Sequence, residues 1–561
     1  CYDGIDVSGS KVGKIANNSV KNIGQMAIYL RDGASSNGSI NNNEIAGADE
    51  CAIELYDKVS VAGDISSNTI VNGKGIGILL SGSGSNGSNC DAISQNTISN
   101  IKGDGIGIYH GSHCGKIEYN TLDTIGGNHD GGDGDYAIII DSNVNKATYA
   151  ASINNNTIKN VTYAGIAVYS GPSSDVKSTK FQDTAYVEGN IEGNQLSNCG
   201  TYKHSDGWKK EKKQGCLAGV YVDTHGCVKG SIINNTVNKT GEHGIYIHLG
   251  SNVLGNIEKN TIHNNKEAGI YIYGSNISGA IKNNKITSSG TYGIALSVAD
   301  AKYGSVRTVI LGNVEKNTIT TTGDCAIYVK NSSAKNIYKN NMTGVGKHGI
   351  YLTEKSSIGN AQKNTIAMNN QKDGCAIGVM KGCKIGNAKE NSISGNMVYG
   401  MRILCAKKNF EISANKISKS NAAKKSFCPI RIANGGKYTV TIKNNKCTGN
   451  KTNYGVYLEG VNAKISGNTV TKCTYPVNVT RNDMKVVVKN NTISGNNKNA
   501  IRTPNAKFDC LPNKITKITN PSAGKATLKL SKAKNAAEYK IYLSTKKDGG
   551  FKQKATTQGV K

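Results

Sequence analysis

Six side chains suited to acid–base chemistry or to sugar contact occupy one position of a repeated phrase in the middle of the chain. The phrase is a small residue followed by alternating apolar residues, and the fourth position after the small residue carries, in succession, Tyr109, Asp141, Tyr169, Asp223, His248 and Tyr273. Two carboxylates can divide the acid and base roles of glycoside hydrolysis, and a histidine or a tyrosine can move a proton. We therefore take as candidate catalytic residues Asp141, Asp223, His248, Tyr169 and Tyr273.

The separation of the two carboxylates distinguishes the reactions open to this group. If Tyr169 lies between Asp141 and Asp223 on neighbouring strands, the carboxylates are roughly 9–10 Å apart at the usual strand spacing. That distance is at the upper end of the range for an inverting glycosidase and too long for a retaining one. A lyase or an epimerase would instead need a base at C5 of a uronate, a role that His248 or Tyr273 could fill. Hydrolase, lyase and epimerase chemistry stay open.

Aromatic and basic residues surround these candidates. Tyrosine recurs two residues earlier in three successive phrases, and stacked tyrosines suit contact with sugar faces. The single tryptophan, Trp208, precedes Lys209 and Lys210, a combination that fits an acidic glycan. The alternative is structural: a tyrosine column that simply stacks on a sheet, and a solvated basic loop. The candidate substrate-binding residues are Tyr109, His110, Trp208, Lys209, Lys210, Tyr221, His225, Tyr246 and Tyr271.

Three acidic residues of a glycine-rich stretch are candidate metal ligands. Asp130, Asp133 and Asp135 lie within six residues, just before the strand that carries Asp141. Carboxylates on such a turn can bind Ca²⁺, and the stretch partly resembles a single RTX-type nonapeptide. A solvated acidic turn is the alternative. We expect no other cofactor.

A repeat along almost the whole chain sets the elements that position these residues. Its phrase is an aliphatic residue, two mostly polar residues, an asparagine, one further residue and usually another aliphatic, returning mostly every 23–28 residues. This period is typical of a stacked solenoid. We expect each asparagine to take the left-handed backbone angles of a sharp turn and to bond through its amide to the next coil. The eighteen repeating asparagines are Asn18, Asn43, Asn68, Asn96, Asn120, Asn156, Asn194, Asn235, Asn260, Asn284, Asn317, Asn340, Asn364, Asn391, Asn415, Asn445, Asn468 and Asn491.

Each repeat unit predicts about three short strands. Strict alternation, as in residues 244–248 and 269–273, indicates strands with aliphatic residues inside. No unit has ten or more residues of helical periodicity, which excludes helical repeats. Together the two phrases resemble the PbH1-type repeats of the right-handed parallel β-helix, or pectate-lyase-like, superfamily. The resemblance covers roughly residues 1–510 and implies an all-β fold, a single right-handed parallel β-helix of about 18 coils with an asparagine ladder.

The resemblance is specific for fold and weakly specific for function. This superfamily includes lyases, hydrolases, epimerases and non-catalytic adhesins. The polygalacturonase-type motifs are not recognisable, since Gly111-Ser-His113-Cys-Gly is a poor match. No arginine stands in the series from Asp141 to Tyr273, whereas catalysis in the superfamily usually relies on an arginine or a lysine as base. The leading hypothesis is a protein that binds an acidic polysaccharide and cleaves or epimerises it, and these departures keep a non-catalytic cell-surface adhesin or structural spacer as the alternative.

Residues 511–561 do not continue the asparagine repeat. The alternating residues around Tyr539 and Leu543 and the turn before Phe551 resemble the front part of a bacterial fibronectin type III module. About fifty residues are too few for its seven strands, so we expect a truncated β-sandwich. Such modules typically accompany secreted or wall-attached bacterial carbohydrate-active enzymes and adhesins, which implies an extracellular, secreted or cell-wall-associated location. The chain starts at Cys1, without a signal peptide, and we expect a fragment at both ends.

Three consecutive intervals of the asparagine repeat are the longest in the chain. From Asn120 to Asn235 they measure 36, 38 and 41 residues. Extra residues must leave the coil as loops, where such proteins place their sites. We expect loops on both flanks of the alternating strands, walling a groove above the candidate residues. The predicted inserts are residues 123–136 and 197–217 before the strand and 142–152 and 170–190 after it.

The net charge indicates the class of partner, and the cysteine spacing argues against metal binding by these residues. The formal net charge is +29, and residues 511–561 contribute +10 of it from 12 lysines and two acidic residues. This favours an anionic partner, an acidic polysaccharide or a cell-wall glycan; no motif supports nucleic acid, and no apolar run has transmembrane length. The 15 cysteines lack metal-ligand spacing, and we expect several to be packing residues at one coil position. Oligomeric state stays open.

Overall fold

The computed structural model describes the chain in segments. These are residues 1–84, 86–127, 136–142, 146–171, 184–201, 217–369, 374–404, 408–419, 427–480, 484–494 and 501–502, and the four tail strands within 515–558. The described residues form β-strands joined by short turns, with one 3-10 turn at Ala301–Tyr303. Each coil pairs in parallel with the next, giving a parallel β-solenoid of about 17 turns. The prediction of an all-β coiled fold is confirmed.

Sheet 1 is formed by the alternating phrases. In the strand His243–His248, Ile245 and Ile247 are fully buried, while Tyr246 and His248 point outward. Equivalent residues stack in register, as Ile245 does on Ile270. Its strands are Ile5–Ser8, Ile28–Arg31, Cys51–Tyr56, Ile76–Ser81, Ile106–Tyr109, Ile138–Ser142, Ile166–Ser170, Ala218–Asp223, His243–His248, Ala268–Tyr273, Tyr292–Ser297, Cys325–Lys330, His348–Thr353, Cys375–Val379, Tyr399–Leu404 and Ile501–Arg502.

Sheet 2 follows sheet 1 along each coil and is made of short pieces. In many coils a bend divides it into two segments, and in others one longer strand crosses the bend. Its strands are Lys11–Val12, Ile15–Ala16, Ser35–Ser36, Ile40–Asn41, Ser60–Ser66, Asn89–Ser94, His113–Glu118, Thr148–Asn154, Ala185–Val187, Ile191–Glu192, Cys227–Val228, Ile232–Ile233, Asn252–Val253, Ile257–Glu258, Asn276–Ile277, Ile281–Lys282, Val309–Ile310, Val314–Glu315, Ser333–Ala334, Ile337–Tyr338, Ser357–Gln362, Lys384–Lys389, Phe410–Ser413 and Val486–Lys489.

Sheet 3 begins directly after each repeating asparagine and completes the coil. Three long strands near the end of the solenoid, Cys428–Lys443, Lys446–Ser466 and Thr469–Val479, each run through more than one sheet. The strands confined to sheet 3 are Ser19–Ile23, Glu44–Ala48, Thr69–Val71, Thr97–Ile101, Thr121–Ile125, Thr157–Val161, Gln195–Cys199, Thr236–Asn238, Thr261–Asn265, Lys285–Ser289, Thr318–Thr322, Asn341–Val345, Thr365–Met368, Ser392–Gly395, Lys416–Ser418 and Thr492–Ser494.

The asparagine ladder lies at the corner between sheets 2 and 3. Each ladder amide donates from Nδ2 to Oδ1 of the next ladder asparagine, as Asn260 does to Asn284 at 3.0 Å. The same Nδ2 donates to a backbone carbonyl of the preceding coil, here Ile232 at 2.9 Å. From Asn43 to Asn468 these side chains are at most 1% exposed. The predicted coil-to-coil amide bonding is confirmed.

The left-handed residue of this corner is not the ladder asparagine, so that part of the prediction is wrong. In all eighteen copies the residue before it has the positive φ, between 54° and 68°. The ladder asparagine itself keeps ordinary angles, because its side chain must point inward to reach the next coil. The left-handed position faces outward and is occupied by varied residues, including Tyr119 and Lys259.

Three lysines at this left-handed position follow one another in successive coils. Lys316, Lys339 and Lys363 have φ of 54–56°. A left-handed angle is unfavourable for a residue with a long side chain, and asparagine tolerates it better. We expect the triple Lys→Asn variant to unfold at higher denaturant, with a gain of about 1–2 kcal/mol. Lys335→Asn, at ordinary backbone angles, is the control; a control that stabilises equally would assign the gain to charge alone.

The described cysteines are reduced, and all but Cys1 are buried. Four of them stand in the same column of sheet 1, where register places Cys325 beside His348 and Cys375 beside Tyr399. Burial raises the pKa of the Cys375 thiol to about 12. The prediction that these are packing residues at one coil position is confirmed by the register.

The lengthened coils keep more strand than the sequence predicts. Residues 123–125, 148–152, 185–187 and 197–199 were assigned to inserts, but they belong to strands in register with their neighbours. The inserts are therefore shorter than predicted. Much of the remaining insert sequence, namely 128–135, 143–145, 172–183 and 202–216, lies outside the described residues, as do the loops predicted to wall a groove.

The chain divides into two units. The first comprises Cys1–Val486 and Asn490–Lys507, and the second Val487–Lys489 and Phe508–Lys561. In the second unit Ile515–Ser522 pairs antiparallel with Lys525–Leu530, and Glu538–Leu543 pairs antiparallel with Lys552–Gln558. The fibronectin type III resemblance of this unit stays a prediction.

Candidate functional site

The outer face of sheet 1 carries three columns of side chains, one for each outward position of its strands. Column A stands at the strand starts and includes His243, column B includes Tyr246, and column C includes His248. In column C the register pairs Tyr109 with Asp141, Asp141 with Tyr169, Tyr169 with Asp223, and His248 with Tyr273. The six candidate residues therefore stand in one column, as the spacing of the phrase predicts.

Asp223 and His248 form the closest polar contact in this column. Nδ1 of His248 lies 2.6 Å from Oδ1 of Asp223, and the hydroxyl of Tyr221 donates to Oδ2 of the same carboxylate. The backbone N–H and the hydroxyl of Thr224 donate to Oδ1 at 2.6 and 3.0 Å. The Asp223 and His248 side chains are 11% and 17% exposed. Both carboxylate oxygens are thus bound while His248 keeps contact with solvent.

A strained turn aims Thr224 at the carboxylate. Thr224 and His225 have φ of 32° and 64°, and Gly226 donates its N–H to the carbonyl of Asp223 at 2.8 Å. Left-handed angles are rare for a β-branched residue such as threonine, and strain of this kind is concentrated at functional sites. A Cβ on Gly226 would come within 2.5 Å of the Val168 carbonyl, so the turn requires glycine there.

The hydrogen bonds keep Asp223 ionised. Burial alone would raise the pKa of this carboxyl, but the charge of His248 and hydrogen bonds from His248, Tyr221 and Thr224 outweigh it and lower the pKa below its usual value. An ionised Asp223 accepts a hydrogen bond, so the neutral imidazole carries its proton on Nδ1. Nε2 of His248 then holds a lone pair, and it has no hydrogen-bond partner within the described segments. The pair is arranged as a base and the group that orients it.

Tyrosine rings form the floor beside this pair. Tyr221, Tyr246 and Tyr271 stack in column B with centroids 5.5 and 5.3 Å apart. In column C the ring of Tyr273 stacks on His248 at 5.1 Å, and its hydroxyl accepts a hydrogen bond from the backbone N–H of Asp300 at 2.7 Å. Burial raises the pKa of Tyr273 to about 12. Its phenol is therefore protonated at neutral pH and can donate that proton onward.

The pattern of the family described as "Right handed beta helix region" matches residues 1–122, 136–310, 311–417 and 389–511. The chain belongs to the right-handed β-helix family. No curated protein matches the chain. Membership establishes the coil architecture, and the chemistry of this β-helix must be argued from its own side chains.

Other predicted residues of the β-helix are placed differently from the Asp223–His248 pair. Tyr109 is 8% exposed, lies across Gly107 and donates its hydroxyl to the buried Asp104. His225 is 4% exposed, and its ring packs where Gly250 leaves room in the next turn. Both rings are therefore nearly closed to solvent, whereas Tyr246 and Tyr273 are partly exposed.

Asp141 and Asp223 stand two coil steps apart with Tyr169 between them, which is roughly 9–10 Å at the usual strand spacing. His110 lies at the N-terminal end of the group, with Nδ1 3.4 Å from the Ser81 hydroxyl. The structure therefore brings Asp223, His248, Tyr221 and Tyr273 into contact, and leaves Asp141 further along the column.

Several predictions fall outside the described residues. They concern the substrate residues Trp208, Lys209 and Lys210 and the calcium ligands Asp130, Asp133 and Asp135. Within the described segments, no group of three or more His, Cys, Asp or Glu side chains is placed to hold a metal ion. The same segments contain no helix long and apolar enough to span a membrane.

Glu54 is a titratable residue of sheet 1 that sequence reasoning missed. It stands in column B between Tyr29 and Leu79. Burial raises its pKa to about 7, with smaller contributions from Glu50 and Asp3. The sequence signal was available: a lone carboxylate in the outward series whose neighbours are apolar or aromatic.

The raised pKa of Glu54 predicts a loss of stability as the pH rises. The unfolded carboxyl ionises near pH 4.5 and the folded one near 7, so the contribution is present below 4.5 and is lost by about pH 7. We expect Glu54→Gln to be more stable than wild type by about 2 kcal/mol at pH 8 and similar to it at pH 4, measured by denaturant unfolding. Glu44→Gln, an exposed change in the same coil, is the control. A wild-type advantage at pH 8 would contradict the prediction.

Proposed function

We propose that this chain is a secreted bacterial β-helix protein that binds an acidic polysaccharide along sheet 1, and that His248 removes a proton from the bound sugar, as a lyase or an epimerase does. Asp223 orients and charge-stabilises the imidazole, and Tyr273 supplies a proton. The tyrosines of column B contact the sugar faces. The proposal includes an extracellular or cell-wall location. The net positive charge and the fibronectin type III resemblance of residues 511–561 support this location.

The observation that carries the proposal is the Nδ1–Oδ1 contact of 2.6 Å between His248 and Asp223. A carboxylate fixed on one imidazole nitrogen leaves the other nitrogen as a base of defined direction. A strained turn and a buried tyrosine hydroxyl are both used to hold this carboxylate, which is more than sheet stability requires.

Proton abstraction is better supported than hydrolysis by two carboxylates. Hydrolysis needs one carboxyl that is protonated and facing the leaving oxygen. Asp223 has a lowered pKa and both its oxygens accept hydrogen bonds from His248, Tyr221 and Thr224, so it does not suit that acid role. A C5 proton next to a uronate carboxylate is the proton that a histidine base would take, which is why an acidic polysaccharide is proposed.

The test is a panel of polyuronates and neutral glycans incubated with the full chain. Three readouts are followed: absorbance of unsaturated uronate, exchange of the C5 proton for deuterium in D₂O, and release of reducing ends. We expect unsaturation or exchange on at least one polyuronate, lost in His248→Ala and retained in His263→Ala. The control replaces a histidine of sheet 3.

Three outcomes would overturn the proposal. Reducing ends released without unsaturation or exchange would indicate hydrolysis. If activity were unchanged in His248→Ala, His248 would not be the base. The absence of any reaction across the acidic panel would favour the non-catalytic adhesin or spacer, in which the tyrosine columns only stabilise the coil.

A further inference from the structure

The net positive charge of residues 1–510 comes from the second half of this stretch. Residues 1–250 hold 19 Lys and Arg against 25 Asp and Glu, whereas residues 251–510 hold 37 against 12. The proton-transfer group around Asp223 and His248 therefore stands at the border of a half with little net charge and a half with a charge of +25. Charge segregated in this way along a rod favours a polyanion lying along the basic half.

Two arginines stand next to each other on the outer face of sheet 1 within this basic half. Arg402 and Arg431 pair in register in column B, so their side chains start roughly 4.8 Å apart. The Tyr399 ring lies under both guanidinium groups, at 5.3 and 5.5 Å, and Tyr457 lies 5.4 Å from Arg431. We call Tyr399, Arg402, Arg431 and Tyr457 the arginine cluster.

The arginine cluster has more donors than acceptors. Arg431 donates from Nη1 to the Tyr399 hydroxyl at 2.9 Å and from Nη2 to Glu459 at 3.4 Å. Its Nε, and the Nε of Arg402, are buried without a hydrogen-bond partner in the described part of the chain. Buried donors normally have partners, and like charges side by side on a sheet are destabilising. An anion bound between the two arginines would relieve both costs.

We propose that the arginine cluster binds a carboxylate or sulfate group of an acidic glycan. A guanidinium presents two parallel N–H donors that match such a group, and its charge-assisted bonds are stronger than neutral ones. The Tyr399 and Tyr457 rings offer flat faces for a sugar beside the anionic group. Glu459, 40% exposed, can accept hydrogen bonds from sugar hydroxyls, which the backbone of DNA cannot donate.

This site lies away from the proposed proton-transfer group. Six and seven coil steps separate the strand of His248 from those of Arg402 and Arg431, which is roughly 30 Å along the sheet. Binding at the arginine cluster rests on the acidic-glycan binding of the proposed function and adds a second site to it, but it requires no reaction at His248. A protein that bound glycans only, without catalysis, would still need such a site.

The test compares two variants of equal charge in the full chain. Arg402→Gln with Arg431→Gln removes the cluster, and Lys316→Gln with Lys339→Gln removes the same charge from the left-handed corner near the ladder. Probes are a polyuronate oligosaccharide, a sulfated oligosaccharide, a neutral oligosaccharide and a DNA oligonucleotide, each titrated by calorimetry. The tighter of the two anionic glycans identifies the anionic group.

We expect the arginine variant to lose affinity for that glycan by at least about 30-fold, and the lysine variant by less than about 3-fold. Arg402→Lys keeps the charge but loses the two parallel N–H donors, so we expect an intermediate loss of affinity. This variant tests the site if the double variant is unstable. Equal losses in both double variants would indicate diffuse attraction and overturn the site. The proposal would also be overturned if the chain bound the neutral glycan as tightly as the anionic one. The same holds if it bound the oligonucleotide more tightly through the same arginines.

Discussion

Replacing Asn260 with alanine is expected to lower the free energy of unfolding by about 4 kcal/mol, the largest stability effect of any single change we consider. Its Oδ1 accepts from the backbone N–H and the side-chain amide of Asn235, and its Nδ2 donates to Ile232 and Asn284. The side chain is fully buried, so water cannot replace these partners. The N–H of Asn235 would be left buried without an acceptor.

The loss is measured by denaturant unfolding, and hydrogen exchange locates it in the coils of Asn235 and Asn284. Asn260→Asp has nearly the same shape but cannot donate to Ile232 or Asn284, so it should be at least as unstable as the alanine variant. Asn276→Ala, at an exposed position of sheet 2, should stay within about 0.5 kcal/mol of wild type. If Asn260→Asp were tolerated, shape rather than hydrogen bonding would explain the ladder.

Asp223→Asn is expected to lower the proposed activity by a factor of about 10²–10⁴. The Thr224 backbone N–H can only donate, so the amide keeps its oxygen on Thr224 and on Nδ1 of His248 and turns its nitrogen to the Tyr221 hydroxyl. The ring keeps its orientation, but the negative charge that stabilises the imidazolium formed in the reaction is lost. The rate of C5 exchange or of unsaturation measures the effect. Nitrogen NMR of the imidazole should show the proton still on Nδ1, which would assign the loss of rate to the missing charge rather than to a turned ring.

Two further carboxylates sharpen this prediction. Asp91→Asn, an exposed change on sheet 2, should leave both the rate and the tautomer unchanged. Asp141→Asn distinguishes the mechanisms, because the two-carboxylate hydrolysis predicted by spacing alone requires Asp141 as fully as Asp223. A rate lost in Asp141→Asn but retained in Asp223→Asn would contradict the assignment of His248 as base.

The coil architecture could be predicted because it depends on periodicity. A repeating asparagine and an alternating strand each fix one corner or one face of the coil, and parallel register then aligns every column. This is why Tyr109, Asp141, Tyr169 and Asp223 stand in consecutive register. The left-handed corner residue was misassigned because residues as different as Ala414 and Glu390 occupy it, so composition alone carries little signal.

Side-chain direction could not be predicted in the same way. Tyr109 and Tyr273 share a column, yet Tyr109 lies back over Gly107 toward Asp104 while Tyr273 stacks on His248. The difference depends on whether a glycine two residues earlier leaves space. The contact of Thr224 with Asp223 depends on two successive left-handed residues, which no local pattern specifies.

The ladder of asparagines has a direction. All seventeen links run from a coil to its C-terminal neighbour, Nδ2 to Oδ1. The amide dipoles therefore add, and each bond polarises the next. The ladder asparagine of every interior coil accepts at Oδ1 from the preceding coil and donates from Nδ2 to the following one. If a whole coil is deleted or duplicated, each donor therefore still meets an acceptor at the new junction. The length of this protein can change by modular steps without redesign of any corner.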